Sequence, residues 1–365
     1  MATNLEIIPI NEWLDCKEHP LVISGPCSAE NEEQVISTAI QLAQINNVKV
    51  YRAGLWKPRT RPNYFEGVGS KGLAWLQRVK EETNLKVAVE VAKPSHIEKC
   101  LAHGIDILWI GARTVVNPFS VQEIAEALKG VDIPVMVKNP INPDLTLWMG
   151  ALERVNKSGI KKLVAVHRGF YSLNQSKYRN PPMWEIPIEL KRLVPNIPII
   201  VDPSHICGNK ELLLDISQKA MDLEMDGLMI ESHIKPWAAL SDAKQQIEPK
   251  NLKLLLENLV IREMSGTKEF ENKLTSYRNQ IDEIDDELLD ILGRRLKIVD
   301  EIGQYKNEHK ITILQLKRWS YIIEDRLKKG LKHNLDRDFL QKLLELMHAE
   351  SLRIQTEIMN KNPEN

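Results

Sequence analysis

The chain reads as an α/β protein, a closed (β/α)8 TIM barrel followed by an all-α domain of three helices. Three observations predict this. Eight short apolar, β-branched runs recur within the first 235 residues, each followed by a segment of helical period. Charged or metal-competent side chains stand where most of those runs end. After about residue 262 the alternation stops, and helical spacing then runs without an internal proline from 268 to about 308.

The strands are expected at 21–24, 49–53, 86–91, 107–111, 134–138, 162–166, 197–201 and 227–230. Near-continuous apolar runs are buried on both faces, which calls for a parallel sheet with a crossover helix between each pair of strands. Eight such units in one domain close into a barrel, so strand eight lies beside strand one. A last barrel helix is expected over 250–264. The domains then read as 1–264 for the barrel, 265–272 for a linker around Ser265-Gly266-Thr267, and 273–365 for the helical domain.

Closure makes a prediction about chemistry. Cys27 follows strand one, His205 follows strand seven, Glu231 ends strand eight and Asp242 lies in the loop beyond, so all four converge on the C-terminal rim. A thiolate, an imidazole and two carboxylates suit a divalent transition ion. The other strand ends carry Arg52, Lys57, Arg113, Lys138 and Arg168, five cations whose mutual repulsion calls for a strongly anionic ligand. Glu90 is placed to offset part of that repulsion and to orient one of them. Lys138 also admits a Schiff-base reading. His233, two residues past Glu231, is expected to point the same way and to hydrogen-bond around the site; Cys16, Cys100 and Cys207 read as buried packing.

Taken together, Gly25-Pro26-Cys27-Ser28, Arg52 with Lys57-Pro58-Arg59-Thr60, Ile110-Gly111-Ala112-Arg113, Val137-Lys138, His167-Arg168-Gly169, Asp202-Pro203-Ser204-His205, and Glu231 with Asp242 resemble a DAHP synthase of the short form. That form is related to 3-deoxy-octulosonate 8-phosphate synthase, and the resemblance spans roughly residues 15–262. It implies condensation of phosphoenolpyruvate with erythrose 4-phosphate, entry to the shikimate pathway. It implies one divalent ion, often manganese (Fe2+, Zn2+ or Co2+ being alternatives), on Cys27, His205, Glu231 and Asp242, and no organic cofactor. Phosphoenolpyruvate is implied to lie on Arg52, Lys57, Arg113, Lys138 and Arg168, with erythrose 4-phosphate near Arg59 and Thr60. Catalytic roles are implied for Lys57 and His205. The related octulosonate synthases carry an asparagine-based segment where this chain has Lys57-Pro58-Arg59-Thr60, which favours erythrose 4-phosphate.

Beyond the linker, Leu274, Ile281, Ile284, Leu288, Ile291, Leu292, Leu296, Val299 and Ile302 keep helical spacing. A helix of that span is about 60 Å long. Two further helices, expected at 314–329 and 336–360, are too short to cover it, so an intertwined dimer is expected. Arg295 and Lys306 fall three turns apart on nearly one face, beside the apolar stripe. Tyr277-Arg278-Asn279-Gln280-Ile281-Asp282 with the following Ile284 to Arg295, then Lys306, Arg318 and Gln355, resemble the all-helical chorismate mutases. The resemblance implies that Arg295, Lys306, Arg318 and Gln355 grip chorismate, with Arg295 and Lys306 catalytic and Arg278 reaching in from a second chain. Trp319 and Gln315 depart from it, standing where better-known members carry acidic residues used for the substrate hydroxyl. The joint expectation is a bifunctional enzyme, or a synthase with a dimerising module that senses chorismate or prephenate.

Composition excludes other classes. The chain carries 49 basic and 50 acidic residues, with 18 and 19 of these from residue 268 onward, so neither part is a polycation suited to nucleic acid. Four cysteines without paired spacing disfavour a disulfide framework. Neither a signal peptide nor a membrane span is expected, and the default location is cytoplasmic.

Overall fold

The computed structural model describes residues 5–15, 17–57, 65–173, 175–263 and 265–360. Two compact units divide at residue 262/263.

In the first unit, eight strands form a closed parallel barrel in sequence order: β1 (Leu21–Gly25), β2 (Val48–Ala53), β3 (Lys86–Val91), β4 (Ile107–Ile110), β5 (Val135–Lys138), β6 (Leu163–His167), β7 (Ile199–Val201) and β8 (Gly227–Glu231). The closing pair runs in register from Leu21 opposite Gly227 to Gly25 opposite Glu231. The helices are α1 (Glu32–Leu42), α2 (Lys71–Thr83), α3 (Pro94–Ala102), α4 (Ala112–Val115), α5 (Pro118–Ala127), α6 (Leu145–Lys157), α7 (Glu185–Leu193), α8 (Pro203–Cys207), α9 (Leu213–Asp222) and α10 (Pro249–Glu257). Several begin on a side-chain cap that satisfies an otherwise free backbone N–H: Asn31 accepts from Gln34, Asp144 from Leu147 and Asp202 from His205.

Two apolar layers follow from the period of two along each strand. Outward residues such as Val22, Tyr51, Val87, Leu108 and Val135 pack against the helices. Inward residues Leu21, Ile23, Val50, Ala88, Ile107, Trp109, Met136, Val164, Val166, Ile200 and Met229 fill the barrel, and Leu14 packs with them. One step further along the same inward series stand Arg52 after Val50, Glu90 after Ala88, Lys138 after Met136, Arg168 after Val166, Asp202 after Ile200 and Glu231 after Met229. The barrel interior is therefore apolar below and charged at its C-terminal end.

The expected last barrel helix is shorter than its sequence suggests. α10 stops at Glu257, where Asn258 Nδ2 turns back to donate to Leu254 O. The segment beyond is tied in non-helical form, because Gln218 bonds both the N–H and the C=O of Val260 and Arg262 pairs with Asp222 at 2.6 Å. Met264 and Cys16 lie outside the described residues.

The second unit holds α11 (Lys268–Glu308), α12 (Leu316–Lys332) and α13 (Arg337–Asn360). Thr267 caps α11 by accepting from Phe270 N. α13 packs along α11, with Gly303 close against Ile358 and Gln355. Only Val299 and Gly303 of the 41 residues of α11 are buried, while Ile281, Ile284, Leu288 and Ile291 are exposed.

Candidate active site

The C-terminal end of the barrel encloses a cavity of about 260 Å³. Of the residues singled out from the sequence, Lys57, Glu90, Arg113, Lys138, Arg168, His205 and Asp242 line it. Arg52, Cys27 and Glu231 lie just beneath, almost wholly buried. Arg59 and Thr60 lie outside the described residues.

Trp109, fully buried, packs against two of these cations. The Arg52 guanidinium stands 4.9 Å from its ring centroid and Lys138 Nζ 5.9 Å, so both cations are attracted to the electron-rich ring. Burying cations requires counter-charge, and buried carboxylates supply it. Lys138 Nζ donates to Asp202 Oδ2 at 2.8 Å, and Arg52 Nη1 lies 3.4 Å from Glu231 Oε1. Arg52 Nη2 also donates to Cys27 O. That close approach is possible because Gly25, at φ +149°, brings the chain against the Arg52 carbonyl, where a Cβ would collide. The contact with Asp202 engages the Lys138 amine, which argues against the Schiff-base alternative.

The four metal-competent residues meet as two pairs. Cys27 Sγ lies 3.3 Å from Asp242 Oδ2, and His205 Nε2 lies 3.8 Å from Glu231 Oε1. His205 Nδ1 is 2.8 Å from Asp202 Oδ2, which assigns that nitrogen to the buried carboxylate and leaves Nε2 facing Glu231. Among the described residues, no group of three or more His, Cys, Asp or Glu side chains forms a closed ion-holding cluster. Lys57 Nζ, at 3.0 Å from Cys27 Sγ, supplies positive charge beside the thiol instead. The donor chemistry nonetheless fits a divalent ion. Glu231 Oε1 is buried without a hydrogen bond, and separations of about 3–4 Å are those of ligands that share a metal with bonds near 2 Å.

Electrostatics follow the same division. Burial depresses the basicity of His205 despite Asp202, which favours the neutral form that can ligate. Burial also pushes up both carboxyls, but His205 with Arg52 holds Glu231 below the ordinary range, and His205 with Lys138 holds Asp202 well below it. Asp242 is lowered too, since burial raises it but Arg179, His205 and the Cys27 hydrogen bond together outweigh that, and its backbone sits at φ +45°, uncommon for a residue with a side chain. The Cys27 thiol is pushed up to about 11, chiefly by burial and then by Glu231. Burial brings Arg168 down to about 10.

His233 does not point into the site. The chain leaves strand geometry at Ser232, which bridges to Ile247, and His233 turns toward Glu30, 3.6 Å from Nε2, while Nδ1 accepts from Lys235 N. Cys100 and Cys207 are buried. Several partners are absent from the sequence reading. Asn139 Oδ1 accepts from Arg168 N; Asn180 accepts from Arg168 Nη1 and donates to His205 O; Arg179 and Gln245 bind the two acidic residues. Asp202 was within reach, being next on the inward series after Ile200. Arg179, Asn180 and Gln245 lie in irregular segments with no period to flag them.

In the helical unit, Lys306 Nζ donates to Gln355 Oε1 at 3.1 Å and to Ile313 O, and Arg295 Nη1 donates to Ser351 Oγ at 3.0 Å. Gln355 is buried; burial lowers the pKa of both Arg295 and Lys306. Arg278 and Arg318 are exposed, the latter over the Tyr321 ring. Trp319 stacks on His348 at 3.8 Å.

Comparison with known proteins accords with both halves. Residues 8–264 match the DAHP synthetase I family. The chain belongs to that family. Residues 277–356 match chorismate mutase type II, so a DAHP synthetase I domain is fused to a C-terminal chorismate mutase type II domain. A curated relative, the phospho-2-dehydro-3-deoxyheptonate aldolase of Thermotoga maritima, is 31% identical over 238 residues, 65% of this chain and 68% of its own length. The 2-dehydro-3-deoxyphosphooctonate aldolase of Francisella philomiragia is 25% identical over 257 residues, 65% of this chain and 89% of its own. The crystal structure of the Thermotoga maritima DAHP synthase superposes with a TM-score of 0.59 at 30% identity, over 65% of this chain and 67% of that one. No described helix is long and apolar enough to cross a membrane.

Proposed function

We propose that this chain is a bifunctional shikimate-pathway enzyme. Its barrel joins phosphoenolpyruvate to erythrose 4-phosphate, and its helical unit rearranges chorismate to prephenate. The observation that carries the first half is the convergence of Lys57, Arg113, Lys138 and Arg168 on one cavity that also exposes His205 and Asp242. Two phosphorylated substrates repel each other, and a cavity lined with fixed cations holds both at attack distance. Arg52, Lys57, Arg113, Lys138 and Arg168 hold phosphoenolpyruvate, and Asp202 orients both Lys138 and His205. C3 of phosphoenolpyruvate then bonds to the aldehyde carbon, water adds at C2, and phosphate leaves. Erythrose 4-phosphate is assigned to Arg59 and Thr60 on their sequence motif alone. The higher identity to the heptonate aldolase than to the octonate aldolases supports the four-carbon sugar.

Cys27, His205, Glu231 and Asp242 are the residues that would hold a divalent ion, with manganese the first choice for this mixed donor set. When bound, such an ion draws electron density from the aldehyde carbonyl.

In the helical unit, Arg295, Lys306 and Gln355 hold chorismate in folded form, and Lys306 and Gln355 face the ether oxygen as negative charge develops there. An intertwined dimer covers the exposed Ile281, Ile284, Leu288 and Ile291 and brings Arg278 of a second copy to the site. The exposed Arg318 and the stacked Trp319 favour one rival reading, a module that binds chorismate or prephenate without turnover.

A single purified sample decides between them, assayed for phosphoenolpyruvate loss with erythrose 4-phosphate and for chorismate loss, each with and without EDTA. The expected result is a first rate abolished by EDTA and a second unaffected. A first rate without a second supports the binding module, and neither rate removes the proposal.

A further inference from the structure

Each of the two acidic residues at the barrel mouth divides its oxygens between inside and outside. Asp242 turns Oδ2 toward Cys27 Sγ, while Oδ1 accepts from Arg179 Nη1 at 3.0 Å. Glu231 turns Oε1 toward His205 Nε2, while Oε2 accepts from Gln245 Nε2 at 2.7 Å. The two outer contacts are themselves joined, because Arg179 Nη1 also donates to Gln245 Oε1 at 3.0 Å. One guanidinium and one buried amide therefore fix the outward oxygen of both carboxylates, so that the inward oxygens face Cys27 and His205.

The mounting of this pair is specific. Gln245 is 1% exposed, and both ends of its amide are engaged, which fixes which end faces Glu231. Arg179 is anchored through its own backbone, since Arg179 N donates to Cys207 O and Asn180 N to Ile206 O. Its stem lies against Gly208, where any Cβ would strike Arg179 Cβ at 2.6 Å, and Gly208 also ends α8 at φ +70°. The helix that presents His205 thus also seats the arginine that orients Asp242.

We infer that Arg179 and Gln245 are positioning residues for an ion held by Cys27, His205, Glu231 and Asp242, an inference that rests on the reading of those four as the ion's ligands. A cation beside ligands has two opposed effects, competing with the ion for charge and orienting the oxygens for it. The geometry decides between them. Arg179 occupies the oxygen of Asp242 that faces away from Cys27, so it does not block the position the ion needs, and orientation dominates. Partners of this kind typically change metal affinity by about 10–100-fold.

The test is isothermal titration of the full-length chain with Mn2+ alone, in the absence of substrates. Arg179→Met keeps the stem against Gly208 and removes the donor; Gln245→Leu keeps volume and removes both amide contacts. Each is expected to raise the Mn2+ Kd by about tenfold or more, with Arg179→Lys recovering part of the loss. Thermal melts of the metal-free proteins within a few degrees of one another assign the change to the site and not to folding. An unchanged Kd in both variants overturns the inference while leaving the ligand assignment standing. If the unaltered chain binds no ion that Cys27→Ala removes, the ligand assignment falls and this inference with it.

Discussion

Lys138 Nζ and Asp202 Oδ2 stand 2.8 Å apart at the ends of β5 and β7, across the intervening β6, with side chains 6% and 0% exposed. Removing one partner of such a pair strands a buried charge, which costs about 3–5 kcal/mol. Asp202→Ala is therefore expected to destabilise the barrel by that amount in urea unfolding. The double replacement Lys138→Met with Asp202→Leu should cost distinctly less than the sum of the single changes. A loss under about 1 kcal/mol for Asp202→Ala means that the pair is not what holds the charged layer together.

Cys27→Ala is expected to abolish phosphoenolpyruvate consumption and to leave chorismate turnover unchanged, because the thiol lies within the first unit. Equal loss of both activities shows that the two sites are not independent.

Lys306→Met removes the ammonium that contacts Gln355 and Ile313 O. Loss of one donor aimed at a developing oxyanion lowers turnover about 10²–10³-fold. Chorismate turnover should fall by that factor with the barrel reaction intact. A residual rate within a fewfold of the original moves the chemistry away from this lysine.

His96 offers a pH test remote from the ligand set. Its ring stacks on Trp56 at 4.0 Å, and its Nδ1 accepts from Ala92 N. Burial, helped by Lys93 and Lys99, lowers its pKa to about 4. The unfolded chain binds a proton there near pH 6.5 and the folded one does not, so the stabilisation is present above about 6.5 and is lost as pH falls toward 4. The drop in Tm between pH 7 and pH 5 should shrink in His96→Phe, which keeps the stack. An undiminished drop excludes His96 as its source.

The barrel was legible because one physical rule, burial of parallel strands on both faces, repeats eight times, and strand ends then place Lys57, Arg113, Lys138, Arg168 and His205 without further information. What escaped reading lies in segments without a period. Arg179, Asn180 and Gln245 act through side-chain contacts across sequence separations that no local pattern encodes. His233 was misplaced because strand alternation was carried one step past the end of β8. The end of α10 was missed because Gln218, from α9, takes the hydrogen bonds of Val260. In the helical unit the long α11 was evident from spacing, and the exposure of its apolar stripe followed from its length.

Cys27 and Asp242 touch although 215 residues of chain separate them. Contacts of such long sequence separation form late, after the entropy of closing so large a loop has been overcome. During synthesis, a nascent barrel that already holds Cys27 and Arg52 has neither Glu231 nor Asp242 to meet them until nearly all of the unit has emerged. The chemistry of this site is therefore a readout of completed closure. A chain stalled or cleaved before residue 242 can carry most of the fold's secondary structure and still lack the contact between Cys27 and Asp242.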